Sequence, residues 1–193
     1  MTITAIILAA GGSSRLGRPK QLVQFQGRSL LRRAAEAACG SRAGEVLVVL
    51  GHDAPGMRSD LDGLRVRVLE NPLWRDGIGS SIRHAITSVS PSSDGALLML
   101  CDQLRLTAGH LNALIDAFER SPSRPVASAY GGSAGVPALF PRALFGELLL
   151  LKGDRGAKRV LLAHAEELVT LPWPDGTLDV DTAGDVSTHS CCD

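Results

Sequence analysis

Two hydrophobic rhythms alternate along this 193-residue chain. Continuous apolar runs of strand length recur as "TAIILAA", "EVLVVLG" and "GALLMLCD". Runs apolar at successive positions predict strands covered on both faces. Between them the period becomes that of an amphipathic helix. In "SLLRRAAEAACG", Leu30, Leu31, Ala34, Ala35 and Ala38 share one face, Ser29 is placed to cap the start and Gly40 to stop the helix. "GSSIRHAITSV" reads as another helix. So does "TAGHLNALIDAFER", with Leu111, Leu114, Ile115 and Phe118 on one side. "LRVRVLEN" alternates as a half-covered strand does, and "RPVASAY" and "VPALF" are short strand candidates. "RALFGELLLLKGDRGAKRVLLAHAEE" predicts two helices broken at Gly153, and "ELVTLPW" and "TLDVD" close the chain. Strands alternating with helices predict an α/β fold, a mostly parallel sheet with helices on both faces. The expected domain spans 1–187, with 188–193 a flexible tail.

Composition narrows the function more by exclusion than by assignment. The formal net charge is zero, so a strongly basic nucleic-acid or membrane surface is not indicated and any anion site must be local. Aromatic residues make up 4%, too few for a base-stacking platform. No apolar run approaches the roughly 20 residues of a membrane helix. Met1 to Ile7 lacks the charged start of a secretion signal. Cys39, Cys101, Cys191 and Cys192 form neither a zinc pattern nor a secreted framework, so the expected setting is reducing and cytoplasmic. The five histidines are dispersed, and no G-x-S-x-G or local Cys/His pair offers a covalent nucleophile.

Candidate chemistry concentrates in "LAAGGSSRLGRPK", Leu8 to Lys20, directly after the first strand. Glycines admit close approach of backbone N–H groups, and Arg15, Arg18 and Lys20 supply charge suited to phosphate. The loop is no Walker A: after Gly12 and Gly17 come Arg18 and Pro19, where lysine and a hydroxyl are needed. Nor are Gly11, Gly12 and Gly17 spaced as in a G-x-G-x-x-G turn. Further along, "LLMLCDQL" puts Asp102 at the end of a buried strand, where ligands of open parallel sheets bind. Its carboxylate is a hard oxygen donor suited to Mg²⁺. In "NPLWRDGIGSSI", Ser80 or Ser81 is placed to cap a helix or meet a ligand. "LDVDTAGD" sets Asp179 and Asp181 two apart, on one face if extended.

Leu8 to Lys20 fits L-A-A-G-x-S-x-R-x-G-x-x-K and resembles the signature loop of nucleotidyltransferases that transfer a nucleoside monophosphate from an NTP. "NPLWRDG", "CDQ", "GGSAGVPALF", "LKGDRGAKRVL" and "LDVDTAGD" follow in the order found in the molybdenum cofactor cytidylyltransferases of the MobA-like NTP transferase family. The resemblance runs from Leu8 to about Asp185. It implies a single-domain, Rossmann-like three-layer α/β/α fold. It also implies that Leu8, Ala9, Ala10, Gly11, Gly12, Ser13, Arg15, Gly17, Lys20, Ser80 and Ser81 bind the nucleotide. Arg15, Lys20 and Asp102 become the catalytic groups, and Asp102 with Asp181 the ligands of Mg²⁺. Gly135, Pro137, Asp154, Gly156 and Lys158 fall beside the acceptor. The implied reaction moves CMP from CTP to the terminal phosphate of molybdopterin or the molybdenum cofactor. A molybdoenzyme or its maturation chaperone is the implied recipient, with no nucleic acid or membrane involved.

The chain departs from the pattern at Leu104, where the family has Pro, at Lys158 in place of Arg, and at "AGD" after Thr182. Three other readings stay open on sequence: a guanylyltransferase, a nucleotidyltransferase acting on a sugar phosphate or other small phosphate, and a non-catalytic nucleotide-binding or cofactor-chaperone domain. Ala10, where guanylyl-transferring relatives usually carry Gly, and Gln103 favour the cytidylyl branch.

Overall fold

A computed structural model of the chain describes residues 1–12 and 19–177. Seven strands form one sheet: β1 (Ile3–Ala9), β4 (Glu45–Leu50), β5 (Arg67–Glu70), β6 (Gly95–Leu100), β7 (Val126–Tyr130), β8 (Ser133–Pro141) and β9 (Val169–Pro172). A two-stranded hairpin, β2 (Gln24–Phe25) and β3 (Arg28–Ser29), stands apart. The sheet order is β5-β4-β1-β6-β8-β7-β9. β8 runs antiparallel to both of its neighbours, and the other paired neighbours are parallel. The fold is therefore the α/β, mostly parallel arrangement that the hydrophobic pattern predicts.

Among the described residues six α-helices cover the sheet: α1 (Leu30–Cys39), α2 (Ala54–Arg58), α3 (Ile78–Ser88), α4 (Ala108–Arg120), α5 (Phe145–Leu149) and α6 (Lys158–Ala163). The strand period sorts them into two layers. Ile3, Ala5, Ile7 and Ala9 of β1 face a core filled by α1, α2 and α4. Ile6 and Leu8 face a second core with α3, α5 and α6. Each fully buried Leu or Ile contributes about 1.5–3 kcal/mol. Both cores run the width of the sheet, so it is sealed on each side. Ser29 caps α1 as expected, its hydroxyl accepting from the Arg32 N–H at 2.9 Å.

The predicted pair of helices after Arg142 is present but short, and residues 150–157 form the link rather than a break at Gly153 alone. The hairpin and α2 have no counterpart in the hydrophobic pattern: two-residue strands are too short to show a period, and α2 carries Pro55 and Gly56 inside its five residues.

The chain moves outward from β1 through β4 to β5, then returns to place β6 on the other side of β1. The crossovers on the two sides of β1 use opposite faces of the sheet, which opens a crevice beyond the carboxyl ends of β1 and β6. Residues 10–12 and 101–102 leave those two strands together. A third small core of Val23, Phe25, Leu30 and Leu104 sits beside the crevice. Leu104, where the resembled pattern has Pro, is thus used as an apolar anchor.

Candidate functional site

A cleft of about 590 Å³ occupies this crevice. Its walls bring together segments far apart in sequence: Leu8 to Gly12, Lys20 and Gln21, Trp74 to Ile78, Ser81, Leu100 to Asp102, and Asp154. Of the sequence-predicted nucleotide residues, Leu8, Ala9, Ala10, Gly11, Gly12, Lys20 and Ser81 line it. Ser13, Arg15, Gly17 and Asp181 lie outside the described residues, as do Asp179, Cys191 and Cys192.

The loop after β1 is held by its carbonyls. The buried Gln21 amide donates to Ala9 O at 2.8 Å and to Gly11 O at 2.7 Å. The carbonyl between them, Ala10 O, accepts from His52 N–H at 3.1 Å. Three successive carbonyl oxygens are therefore occupied by the protein itself, which fixes the backbone of the turn. Ala10 is buried, packed into the second core while still reaching the cleft wall. Gly51 keeps this end of the sheet narrow. A Cβ there would stand 2.6 Å from Trp74 Cβ and 2.8 Å from Ala10 O, inside contact distance.

Trp74 forms a side of the mouth. Its ring lies 5.2 Å from that of His52, and the Arg75 guanidinium rests over it at 5.0 Å. The turn that presents it is tied by the buried Asn71. Asn71 Nδ2 donates to Ser80 Oγ at 2.9 Å and Ser81 Oγ at 3.0 Å, and its Oδ1 accepts from Leu73 N–H at 3.0 Å. Ser80 Oγ also lies 2.7 Å from Leu73 O. It caps no helix N–H and does not line the cleft. Gly77 stands at the N-cap of α3 instead. Its φ is +87°, and a Cβ would meet Gly153 C at 2.4 Å, so the start of α3 and the Gly153–Asp154 turn touch backbone to backbone.

Opposite the loop stands Asp102, 5% exposed. Its Oδ2 accepts an ion-paired hydrogen bond from Lys20 Nζ. Its Oδ1 is buried and has no hydrogen-bond partner. An unpaired carboxylate oxygen is costly to bury, so this site fits a cation or donor that arrives with a ligand. Among the described residues no cluster of three His, Cys, Asp or Glu side chains forms a metal cage. One carboxylate in an open cleft suits an ion such as Mg²⁺, which keeps waters and is shared with substrate phosphates. Cys101 beside it is sealed, and burial, reinforced by the Asp102 charge, pushes its thiol up to about 12. It stays a neutral thiol.

A second cavity of about 210 Å³ shares the Leu8, Ile78 and Leu100 walls with the first. Three of the residues expected beside an acceptor, Gly135, Gly156 and Lys158, line it together. Asp154 instead lines the larger cleft, and Pro137 lines neither, its carbonyl accepting from Ser128 Oγ at 2.8 Å. Apart from Lys158, Tyr130 and Ser133, the lining side chains are apolar.

Gln21, His52, Asn71 and Arg75 were not singled out by sequence reasoning. Gln21 had one available signal, an amide one place after the motif lysine in a stretch whose next residues, Leu22 and Val23, are apolar.

A family model described as the MobA-like NTP transferase domain matches residues 5–168. Among curated relatives, nicotine blue oxidoreductase of Paenarthrobacter nicotinovorans is 32% identical over 180 residues, 88% of this chain and 85% of that protein. The bifunctional protein GlmU of Sorangium cellulosum is 32% identical over 133 residues, 65% of this chain, but the match spans only 28% of GlmU. A probable molybdenum cofactor guanylyltransferase of Nostoc is 26% identical over 193 residues, 96% of this chain and 89% of that protein. The solved structure of Rv0371c from Mycobacterium tuberculosis superposes with a TM-score of 0.83 at 31% identity, covering 100% of both chains. A further structure of Rv0371c, a complex with manganese, gives 0.78 at 30% identity over 97% of each chain.

Proposed function

The chain belongs to the MobA-like NTP transferase family, and from that footing we propose that it transfers CMP from CTP to the terminal phosphate of molybdopterin or the molybdenum cofactor, releasing pyrophosphate. Nucleotidyl transfer is the chemistry of this type. The observation that carries it is Asp102, whose buried Oδ1 has no hydrogen-bond partner, on a residue that lines one cleft together with Gly11, Gly12 and Lys20.

An acceptor phosphate oxygen is already anionic, so no protein nucleophile is required. The residues need to align it with the α-phosphorus of the nucleotide and to neutralise charge on the leaving pyrophosphate. In this assignment the Leu8–Gly12 backbone, with Ser13 and Gly17, surrounds the nucleotide, and Ser81 meets it from the α3 side. Arg15 and Lys20 hold the polyphosphate. Asp102, with Asp181, holds Mg²⁺. The ion, when bound, offsets negative charge on the donor and acceptor phosphates. Lys20 leaves Asp102, or shares it, as the nucleotide enters.

The second cavity supports a ring-bearing acceptor over a sugar phosphate. Sugar hydroxyls need several hydrogen-bonding partners, and this wall is mostly hydrocarbon. Gly135, Gly156 and Lys158 take its body, and Asp154 stands where its phosphate enters the larger cleft.

The test is pyrophosphate release with each of the four NTPs, with and without molybdopterin or the molybdenum cofactor, and with a hexose 1-phosphate in parallel. CTP with molybdopterin is expected to give CMP-linked product. Turnover of GTP or of the sugar phosphate alone replaces the substrate assignment. Nucleotide binding with no turnover of any acceptor supports a non-catalytic carrier. A molybdoenzyme or its maturation chaperone is the proposed recipient.

A further inference from the structure

Strand β8 breaks register against β7. Ala127 pairs with Ala138, but the next residue, Ser128, pairs with Gly135. Val136 and Pro137 are thus extruded from that ladder, and β8 pairs with β6 only from Ala138 onward. Extra residues in a strand leave backbone groups without ladder partners and redirect the wall they form. Here side chains from the turn after β6 and from β7 take over. Val136 O accepts from Gln103 Nε2 at 2.7 Å and from Tyr130 Oη at 2.8 Å. Pro137 O accepts from Ser128 Oγ, which lies 2.7 Å from His110 Nε2.

Gln103 is the unusual member. It follows Asp102 directly, is 6% exposed, and reaches across 33 positions to the extruded strand. Only the amino end of its amide can face a carbonyl, so its orientation is determined. Its Oε1 is left buried without a partner. A side chain kept for packing alone would leave no such orphan. Val136 and Tyr130 both line the second cavity.

We propose that Gln103 is a positioning residue that locks the acceptor cavity to the Asp102 turn, so that an acceptor seated against Val136 is aligned with the nucleotide held at Asp102. This rests on the acceptor reading of that cavity. Gln103 touches neither substrate in this role. It sets where the Gly135–Val136 wall stands, and that wall bounds the acceptor.

The experiment uses the full chain with Gln103→Leu, which keeps the volume and removes both the donor and the orphan oxygen, and Tyr130→Phe, which keeps the ring. Amide hydrogen exchange over residues 134–138 is measured alongside CTP binding by calorimetry and steady-state kinetics with molybdopterin. Gln103→Leu is expected to speed exchange in that segment by about tenfold or more, since a pinned bulge then opens more freely. KM for molybdopterin is expected to rise, or kcat to fall, by about tenfold or more. KM and affinity for CTP stay within about twofold, and the melting temperature within about 3 °C. The double variant is expected to exceed the product of the single effects, because each donor covers for the other. Unchanged exchange in Gln103→Leu overturns the pin. Faster exchange with equal losses for CTP and molybdopterin makes Gln103 a general structural residue and overturns the positioning role. Wild-type protein that turns over no molybdopterin overturns the acceptor assignment instead, and the exchange measurement then decides the pin by itself.

Discussion

Lys20 and Asp102, 82 positions apart, meet as an ion pair that engages Oδ2 of the carboxylate and leaves Oδ1 buried with no partner. The pair holds its own charges in balance while the other carboxylate oxygen stays buried and unpaired. A cation that takes both oxygens must compete with the lysine.

Asp102→Ala removes the proposed metal ligand from the end of β6. Turnover is expected to fall by on the order of 10²-fold or more, the range for a single electrostatic group at a transferring phosphate. Pyrophosphate release across a Mg²⁺ titration measures it. Wild-type rates at ordinary Mg²⁺ would remove the metal assignment.

Lys20→Ala separates two roles with opposite signs. Losing the ammonium is expected to weaken CTP binding and turnover together, since in the proposed function it meets polyphosphate before and during transfer. It also frees Asp102 from its competitor, so binding of Mn²⁺ alone is expected to tighten. Calorimetry with metal alone and with CTP reads both signs. A variant that binds metal and nucleotide as wild type does returns Lys20 to a purely structural ion pair.

Gln21→Leu deletes both hydrogen bonds to the first loop and leaves Ala9 O and Gly11 O without them. A stability loss of about 1–3 kcal/mol is expected from the unpaired carbonyls. KM for CTP should rise as the turn loses its fixed shape. Denaturant unfolding and nucleotide titration test this, and a variant as stable and as tight as wild type would refute the clamp.

CTP is expected to outcompete GTP. Ala10 lines the cleft, and the methyl it carries in place of a glycine hydrogen is expected to leave a purine less room; one such contact is worth roughly 1–3 kcal/mol, or about 10–200-fold. Equal CTP and GTP with limiting acceptor, read by product mass, gives the ratio. Ala10→Gly should narrow it. A ratio untouched by that change removes the steric account.

His110 gives the pH prediction. It is half-buried, stacked on Trp173 at 4.6 Å, and burial lowers its pKa below 6.5, with Asp175 opposing more weakly. The unfolded chain therefore takes a proton near pH 6.5 that the folded chain refuses. Stability is full above that value and declines as pH falls below it. Melting curves between pH 7.5 and about 5 should show a steeper loss for wild type than for His110→Gln. Parallel slopes would contradict it.

The sheet was readable in the sequence because its central strands are covered on both faces, which forces runs such as Val46 to Leu50 to be apolar throughout. The helices were readable because each presents one face to one core. The charged members of the site were readable where chemistry demands a residue type, as with Lys20 and Asp102. What stayed hidden depends on register and reach. Nothing local marks Gln103 as the partner of Val136, because the extruded pair exists only once β7 and β8 are side by side. Gln21 bonding two carbonyls ten and twelve positions back is equally invisible to periodicity. Ser80 looked like a cap because serines favour helix starts, but a buried Asn71 draws its hydroxyl inward.

Val23, Phe25, Leu30 and Leu104 form a small apolar footing beneath both the lysine turn and the aspartate turn. Arg33 reinforces it, lying 4.9 Å over the Phe25 ring and donating to Leu104 O at 3.2 Å. Hydrocarbon contact is not screened by salt, whereas an ion pair is. The two turns are therefore yoked: a breathing motion that lifts the lysine carries the aspartate with it, and high ionic strength loosens the charges without letting their anchors drift apart.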